Sequence, residues 1–445
     1  MNIALVGYGI EGEASYRYFS RDTNNSITVF DESNVRPASL PESVTFIGGA
    51  DAIEQLSAQT FDKVVRTPSL SPHKLVGVRN LTSGTREFFS SCPAPIIGVT
   101  GTKGKGTIAS LITEILKAAG KKVWLVGNIG TAALDVLDDI LKDDIVVYEL
   151  SSFQLWDLTQ SPQTAVISVV EPEHLDVHRD LDDYVEAKAN IRRFQAIDDV
   201  CFYHPTSELS HRIATTSNMG ESHDHAAWLL RAKRYALPLD NAVYVKENTF
   251  FIQENVICDI AALQLIGQHN VDNACAAISA ALQYTDNFSA VEVGLKNFHG
   301  LPHRLQFVRK VNEVSYYDDS IATTPGSAIA ALRAFDAPKI LIVGGSDKGA
   351  DFAELAQEVL RHEVRRIITM GKMGPKIAEE LDDVGFADVT RINGAMEEAV
   401  TTAFQFAKPG DVVILSPSCA SFDQYKSYAD RGEQFVRFVS ELATP

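Results

Sequence analysis

Lys105 and Thr107 stand in the run Gly101-Thr102-Lys103-Gly104-Lys105-Gly106-Thr107, where glycines alternate with lysines and hydroxyls. Glycines let backbone N–H groups close on an anion, and a helix that follows adds the partial positive charge of its N-terminus. Lys105 is placed to reach the outer phosphates of a nucleotide, and Thr107 to hold Mg²⁺ through its hydroxyl. The run is not the standard GxxxxGK[ST], because Gly106 follows Lys105 where a hydroxyl is usual. A Gly/Lys-rich surface turn is the alternative. The apolar stretch Ile96–Thr100 before it and the helical spacing of Ile108, Leu111, Ile112, Ile115 and Leu116 after it favour the phosphate cradle.

Other groups with chemical potential sit where strands are expected to end. Glu149 closes the apolar run Ile145–Leu150, where a carboxylate is costly unless it meets a cation such as Mg²⁺ or a salt-bridge partner. His174 lies in Glu171-Pro172-Glu173-His174-Leu175-Asp176 and is either a metal ligand or simply hydrogen-bonded. Asn128 follows the strand expected over 123–126. Lys188, on the helix expected over 184–193, has the local look of a solvated surface lysine. Gly7-Tyr8-Gly9-Ile10-Glu11-Gly12 is G-x-G-x-x-G between a strand (2–6) and a helix (to Phe19), and Ile27–Phe30 is a strand ending in Asp31. That fingerprint fits NAD, any nucleotide pyrophosphate, or a tight turn with no ligand. Near the C-terminus, Asp318-Asp319-Ser320, Gly344-Gly345-Ser346-Asp347-Lys348 and Ser416–Ser421 end three more strands and suggest a second binding surface. Cys419 is a candidate nucleophile without a basic neighbour in sequence, which favours a small buried thiol.

The elements that must hold these groups alternate between strand and helix patterns. That alternation implies an α/β protein with mostly parallel sheets. At about 150 residues per domain, 445 residues suggest roughly three. The pair of prolines in Ser90–Pro95 marks one linker and Gly300-Leu301-Pro302 another. The expected division is 1–92, 93–299 and 300–445. Residues 204–239 are polar and poorly periodic, and read as loops and an insertion. Hydrophobic content is 45% and charged content 22%, as in ordinary globular proteins. A net charge of −18 argues against a nucleic-acid partner or an anionic membrane surface. Five dispersed cysteines offer neither a disulfide framework nor zinc-ligand spacing, and no apolar run is long enough to span a bilayer. A soluble cytoplasmic monomer is expected.

The motifs come in one order: GTKGKGT, YELSSFQL, EHLD followed by EAKANI, GQHNVDNACAA, GLPHR, DDSIATT and LSPSCASFDQYKSYADRGEQF. Together they resemble the Mur ligases over essentially the whole chain. The resemblance implies a Rossmann-like N-terminal domain for a UDP-sugar, a central P-loop ATPase-like domain, and a C-terminal doubly wound Rossmann-like domain for an amino acid. It implies an ATP-dependent ligase of peptidoglycan precursor synthesis. This would add glutamate, the D-isomer favoured over the L-isomer, to UDP-N-acetylmuramoyl-L-alanine through an acyl phosphate. A dinucleotide-dependent oxidoreductase is the alternative that the first G-x-G-x-x-G leaves open. By resemblance, Gly101, Thr102, Lys103, Gly104, Lys105, Gly106, Thr107, Asn270, Asn273, Arg304 and Asp319 bind ATP. Thr107, Glu149, His174 and Lys188 serve Mg²⁺, with Lys188 carbamylated, which reverses its local reading. Gly9, Ile10, Glu11, Gly12, Asp31, Glu32, Asn128 and Ser151 take the UDP-sugar. Thr323, Lys348, Ser421 and Tyr428 take the amino acid. The chain departs from the family pattern at Gly106 (usually Ser or Thr), Val169 (commonly Asn), Ile321 (usually Lys) and Tyr428 (commonly Phe).

Overall fold

The computed structural model describes residues 1–218, 223–238, 240–346 and 349–442, with backbone alone at 223 and 224. The chain divides into two compact units, Met1–Gln264 with Gln268–Phe298, and Leu265–Gly267 with His299–Pro445.

The first unit holds three sheets. β1 (Asn2–Val6), β2 (Ser26–Asp31), β3 (Thr45–Gly48), β4 (Lys63–Arg66) and β5 (Leu81–Ser83) form a parallel sheet in the order β3-β2-β1-β4-β5. β6 (Ile96–Thr100), β7 (Val123–Gly127), β8 (Ile145–Glu149), β9 (Thr164–Ile167), β10 (Val200–Tyr203) and β11 (Ala232–Arg234) form a second, in the order β11-β10-β9-β6-β8-β7. Strand order reverses direction beside β1 and beside β6, so both glycine-rich loops leave the sheet at a switch point, where open α/β sheets take their ligands. β12 (Val243–Lys246), β13 (Thr249–Ile252) and β14 (Asn255–Asp259) make an antiparallel meander.

Every residue of β6 and β8 is buried, as expected for strands covered on both faces. The helix Lys105–Ala118 buries ten of its fourteen residues, among them Ile108, Leu111, Ile112, Ile115 and Leu116. Ion pairs link the layers of the first two sheets, among them Arg17 with Asp135 and a buried one at the end of β4. Arg66, fully buried at the end of β4, meets both carboxylate oxygens of Asp157 at 2.8 Å and donates to the Phe153 carbonyl at 2.8 Å.

Residues 204–239 differ from the expected loops and insertion. They contain the helices Glu208–Thr215 and His223–Leu229 and the edge strand β11. A few buried anchors organise them: Ile213, Ala214, Tyr235, and Trp228, whose ring lies 3.5 Å from the Arg192 guanidinium. Residues 219–222 and 239 lie outside the described residues. β9 stops at Ile167, because its neighbour β6 ends at Thr100 and Ser168 turns its hydroxyl onto the Lys103 carbonyl at 2.5 Å.

The second unit is a six-stranded sheet of β15 (Gln306–Val311), β16 (Val314–Asp318), β17 (Lys339–Gly344), β18 (Val364–Met370), β19 (Val389–Arg391) and β20 (Val412–Leu415). The order is β15-β16-β20-β17-β18-β19, with β15 antiparallel and the rest parallel. Among the described residues no helix is long and apolar enough to cross a membrane.

Candidate active site

The phosphate loop forms between β6 and the helix Lys105–Ala118. Gly104 is the residue before the helix, at φ +84°, and no side chain caps the helix start. A Cβ on Gly104 would stand 2.5 Å from Asn273 Oδ1, so the loop and the helix Gln268–Ala281 approach closely only with glycine here. Asn273 in turn donates to Asn270 Oδ1 at 3.2 Å. The Lys105 ammonium donates to the Thr102 carbonyl at 3.0 Å, and Thr107 is buried in the first helical turn. Thr102 is pinned from outside: its hydroxyl lies 2.9 Å from Tyr184 Oη and donates to the Glu171 carbonyl at 2.9 Å. Lys103 is an exposed residue paired with Glu171 at 2.9 Å. A helix start left without a side-chain cap, behind a glycine turn, fits an oxyanion ligand.

Lys188 is not a surface residue. It is 2% exposed on the helix Leu181–Arg193. Its Nζ donates to the Gly101 carbonyl at 2.9 Å, and it lies 4.8 Å from the centre of the Tyr184 ring. Burial holds its amine well below the usual lysine range, and Lys105 pushes the same way, while Glu173 and Glu149 oppose. A neutral amine is the form that reacts with CO₂, so the site fits a carbamate. The carbamate's negative charge would also relieve the repulsion from Lys105.

Glu149 is 3% exposed, and its Oε1 accepts from the Asn128 amide at 3.3 Å. His174 sits at φ +58° with a half-exposed side chain, its Nε2 3.6 Å from Glu173 and its ring 4.9 Å from that of Phe153. Among the described residues no three of His, Cys, Asp and Glu gather closely enough to hold a metal alone. The oxygen donors Thr107 and Glu149 still fit Mg²⁺, which is commonly held by one or two protein groups together with substrate phosphates and water.

At the first glycine loop, both Asp31 oxygens are occupied at 2.8 Å, by the N–H groups of Tyr8 and Ser33. Asp31 thus fastens the loop to the end of β2. Gly9 precedes the helix Ile10–Phe19, whose first turn carries Glu11 and Gly12; Ile10 is exposed. Glu32 pairs with Lys74 at 2.7 Å. Burial raises the Glu11 carboxyl to about 7, although the Gln154 side chain donates to it at 2.6 Å. The Gln154 side-chain oxygen Oε1 accepts the N–H (2.8 Å) and hydroxyl (3.0 Å) of Ser151. Gln154 therefore links Glu11 and Ser151, a role that its place in SSFQL did not reveal. His178 also escaped the sequence reading. Buried, it lies 3.1 Å from Asp183 and 3.0 Å from the Ser152 hydroxyl, with its ring stacked on Phe153.

In the second unit, Asp319 accepts from the Leu305 N–H at 3.1 Å and the Ser416 hydroxyl at 2.8 Å; burial raises it to about 7, opposed by Arg304. Ser421 is buried, Thr323 is half-buried and Tyr428 is exposed. Lys348 lies outside the described residues. Cys419 is buried, in keeping with a small core thiol. Arg431, unremarked in sequence, is fully buried and donates to the carbonyls of Ser320 (2.8 Å) and Cys419 (3.1 Å) and to the Ser320 hydroxyl (3.0 Å). It ties together the ends of β16 and β20, which carry two of the three polar motifs.

Two family models match the chain, the Mur ligase middle domain over residues 99–281 and the Mur ligase glutamate ligase domain over 303–419. The UDP-N-acetylmuramoylalanine–D-glutamate ligase of Clostridium tetani is 35% identical across 99% of this chain and 96% of its own length. The chain belongs to the Mur ligase family. A second Mur ligase of the same name, from Clostridium botulinum (strain Loch Maree), is 33% identical over the same shares. Among solved Mur ligase structures, a UDP-N-acetylmuramate–alanine ligase from Thermotoga maritima aligns at a TM-score of 0.60 with 18% identity, covering 99% of this chain and 100% of that one. MurF from Acinetobacter baumannii aligns at 0.60 with 17% identity, covering 92% and 84%. These likenesses show that the Mur ligase fold extends along this chain.

Proposed function

We propose that this Mur ligase joins the carboxylate of UDP-N-acetylmuramoyl-L-alanine to the amine of D-glutamate, with ATP, in peptidoglycan precursor synthesis. The near full-length identity to D-glutamate ligases carries this assignment. An oxidoreductase using the first glycine loop would leave the phosphate loop and the second unit without a role.

The muropeptide carboxylate attacks the γ-phosphate of ATP, ADP leaves, and the resulting acyl phosphate is attacked by the incoming amine. Phosphate leaves from the tetrahedral adduct. The work is mainly positioning and stabilisation of phosphoryl charge. Lys105 and the loop N–H groups of Gly101–Thr107 hold the phosphates. Asn270, Asn273, Arg304 and Asp319 hold the rest of ATP. Thr107, Glu149, His174 and the carbamate on Lys188 would hold Mg²⁺, which screens the charge of the phosphoryl oxygens. Gly9, Ile10, Glu11, Gly12, Asp31, Glu32, Asn128 and Ser151 hold the UDP-sugar; Thr323, Lys348, Ser421 and Tyr428 hold the amino acid.

We assign these tasks to three domains, 1–92, 93–299 and 300–445, the first and last Rossmann-like. A separate parallel or mostly parallel sheet within each range supports that division. We add that it acts in the cytoplasm as a monomer, and the net charge of −18 argues against a nucleic-acid partner. ADP release measured with UDP-N-acetylmuramoyl-L-alanine and, in turn, D-glutamate, L-glutamate, meso-diaminopimelate and L-lysine tests the function. Preference for D-glutamate is expected. Preference for a diamino acid overturns the acceptor, and preference for L-glutamate overturns its stereochemistry.

A further inference from the structure

Between Pro302 and Arg304 stands a histidine to which the proposed function gives no task. His303 has φ +61°, a left-handed backbone that histidine and asparagine enter more readily than most residues. Its N–H donates to Gln306 Oε1 at 3.1 Å and its carbonyl accepts the Ile321 N–H at 3.1 Å, so the backbone is held from both sides. Its Nδ1 lies 2.7 Å from Asp318 Oδ2, and the other Asp318 oxygen accepts the Ser320 N–H at 2.9 Å. The Asp318 side chain is wholly buried and the imidazole is 12% exposed. A Cβ on residue 432 would stand 2.1 Å from His303 Nδ1 and 2.7 Å from Asp318 Oδ2, so the helix Tyr428–Glu441 can close over the pair only with Gly432.

The carboxylate at Nδ1 keeps a proton there and leaves the Nε2 lone pair as an acceptor. Among the described residues Nε2 makes no hydrogen bond. The charged and titratable neighbours are few. Asp318 is on β16, and Asp319 and Arg304 flank the pair in sequence. The helix Tyr428–Glu441 supplies Glu433, Arg431 beside Asp318, and Tyr428, whose ring lies 6.2 Å from the imidazole. The Asp318 hydrogen bond is the main cause that raises the imidazole's basicity, and burial opposes it. A more basic imidazole makes proton transfer from an amine less uphill.

Ligation needs such an acceptor. An amino acid arrives as an ammonium, without the lone pair that must attack the acyl phosphate. We propose that His303 is the general base that activates the amino-acid substrate. An N–H bond of the ammonium breaks, an N–H bond forms at Nε2, and the amine keeps the electron pair with which it attacks the acyl carbon. The step rests on the ligase function proposed above. Tyr428, one of the residues assigned to the amino acid, lies against the imidazole in the same unit.

Two acceptors separate this role from a structural one. Hydroxylamine is unprotonated at neutral pH and converts an acyl phosphate to a hydroxamate without a base. The variant His303→Asn suits the left-handed backbone. With ATP and UDP-N-acetylmuramoyl-L-alanine at pH 7, it is expected to ligate D-glutamate about 10²-fold more slowly than wild type. Hydroxamate formation should stay within about two-fold of wild type. The deficit with glutamate should narrow as pH rises towards the amine's own pKa. In Asp318→Asn the imidazole loses its carboxylate, so the acid limb of kcat/KM for glutamate should move to lower pH. Equal loss with both acceptors, or an unmoved acid limb, overturns the base. A wild-type enzyme that ligates no amino acid and forms no hydroxamate overturns the ligase function itself, and the base with it; ligation of D-glutamate without hydroxamate overturns the base assignment alone.

Discussion

Lys188 Nζ lies 2.9 Å from the carbonyl oxygen of Gly101, the first residue of the phosphate loop. A lysine near the middle of one helix thus touches the turn that starts another. The contact is made far from bulk water, beside a second lysine that disfavours its charge.

If Lys188 carries the proposed carbamate, activity depends on dissolved CO₂. Ligation in degassed buffer should fall and recover when bicarbonate is added. Lys188→Ala should lose about 10²-fold or more in kcat, the order of a missing group that positions phosphoryl charge, and should not respond to bicarbonate. Bicarbonate-independent wild-type turnover would remove the carbamate from the mechanism.

Gly104→Ala tests the loop geometry. A left-handed alanine costs about 1–2 kcal/mol, and its Cβ must also displace the Asn273 amide. KM for ATP should rise about tenfold or more, while KM for the UDP-sugar changes little. An unchanged KM for ATP would show that the Gly104–Asn273 contact plays no part in binding.

Glu11 introduces a pH dependence. Its carboxyl is raised to about 7 in the folded chain from an ordinary value of 4.5. Between these values the folded state binds more protons than the unfolded one, so the contribution to stability is complete below 4.5 and is lost as pH rises through 7. The loss is at most about 3 kcal/mol, and about 1 after solvent screening of this half-buried group. Glu11→Gln should therefore raise the melting temperature at pH 8 and leave it nearly unchanged at pH 5. If the loop holds a diphosphate, the same variant should lower KM for the UDP-sugar at pH 8, because a like charge is gone. A melting temperature that falls equally at both pH values would contradict a raised carboxyl.

The parts that were legible in sequence depended on neighbours along the chain. β6, its glycine loop and the following helix are visible because apolar period and glycine spacing are local properties. Lys188 misleads because its burial is set by Gly101 and Tyr184, and Tyr184 alone lies on its own helix. The edge strand β11 and the helices before it went unseen because only a few of their residues, such as Ile213 and Trp228, enter the core. The rest of that stretch is polar and shows no period. Gln154 and Arg431 do their work through contacts to residues 143 and 111 positions away, which no spacing rule connects.

Arg431 orders the loops proposed to receive the amino acid. Arg431→Lys keeps the charge but cannot reach the same carbonyls and hydroxyl. KM for D-glutamate should rise about tenfold, the order of one lost hydrogen bond to a charged group, with KM for ATP much less affected. Equal changes in both would mean that the arginine supports the whole unit rather than this surface.

Arg66 and Asp157 have a consequence for recombination between relatives. A chimera that takes its first sheet from one parent and its second from another splits this pair across the seam. Where the parent of the second sheet lacks Asp157, the hybrid buries the Arg66 guanidinium without its carboxylate, at a cost of about 3–5 kcal/mol. That is a large share of the 5–15 kcal/mol that holds an ordinary domain folded. Hybrids of these two sheets should therefore survive mainly between parents that share both residues, however similar the parents are elsewhere.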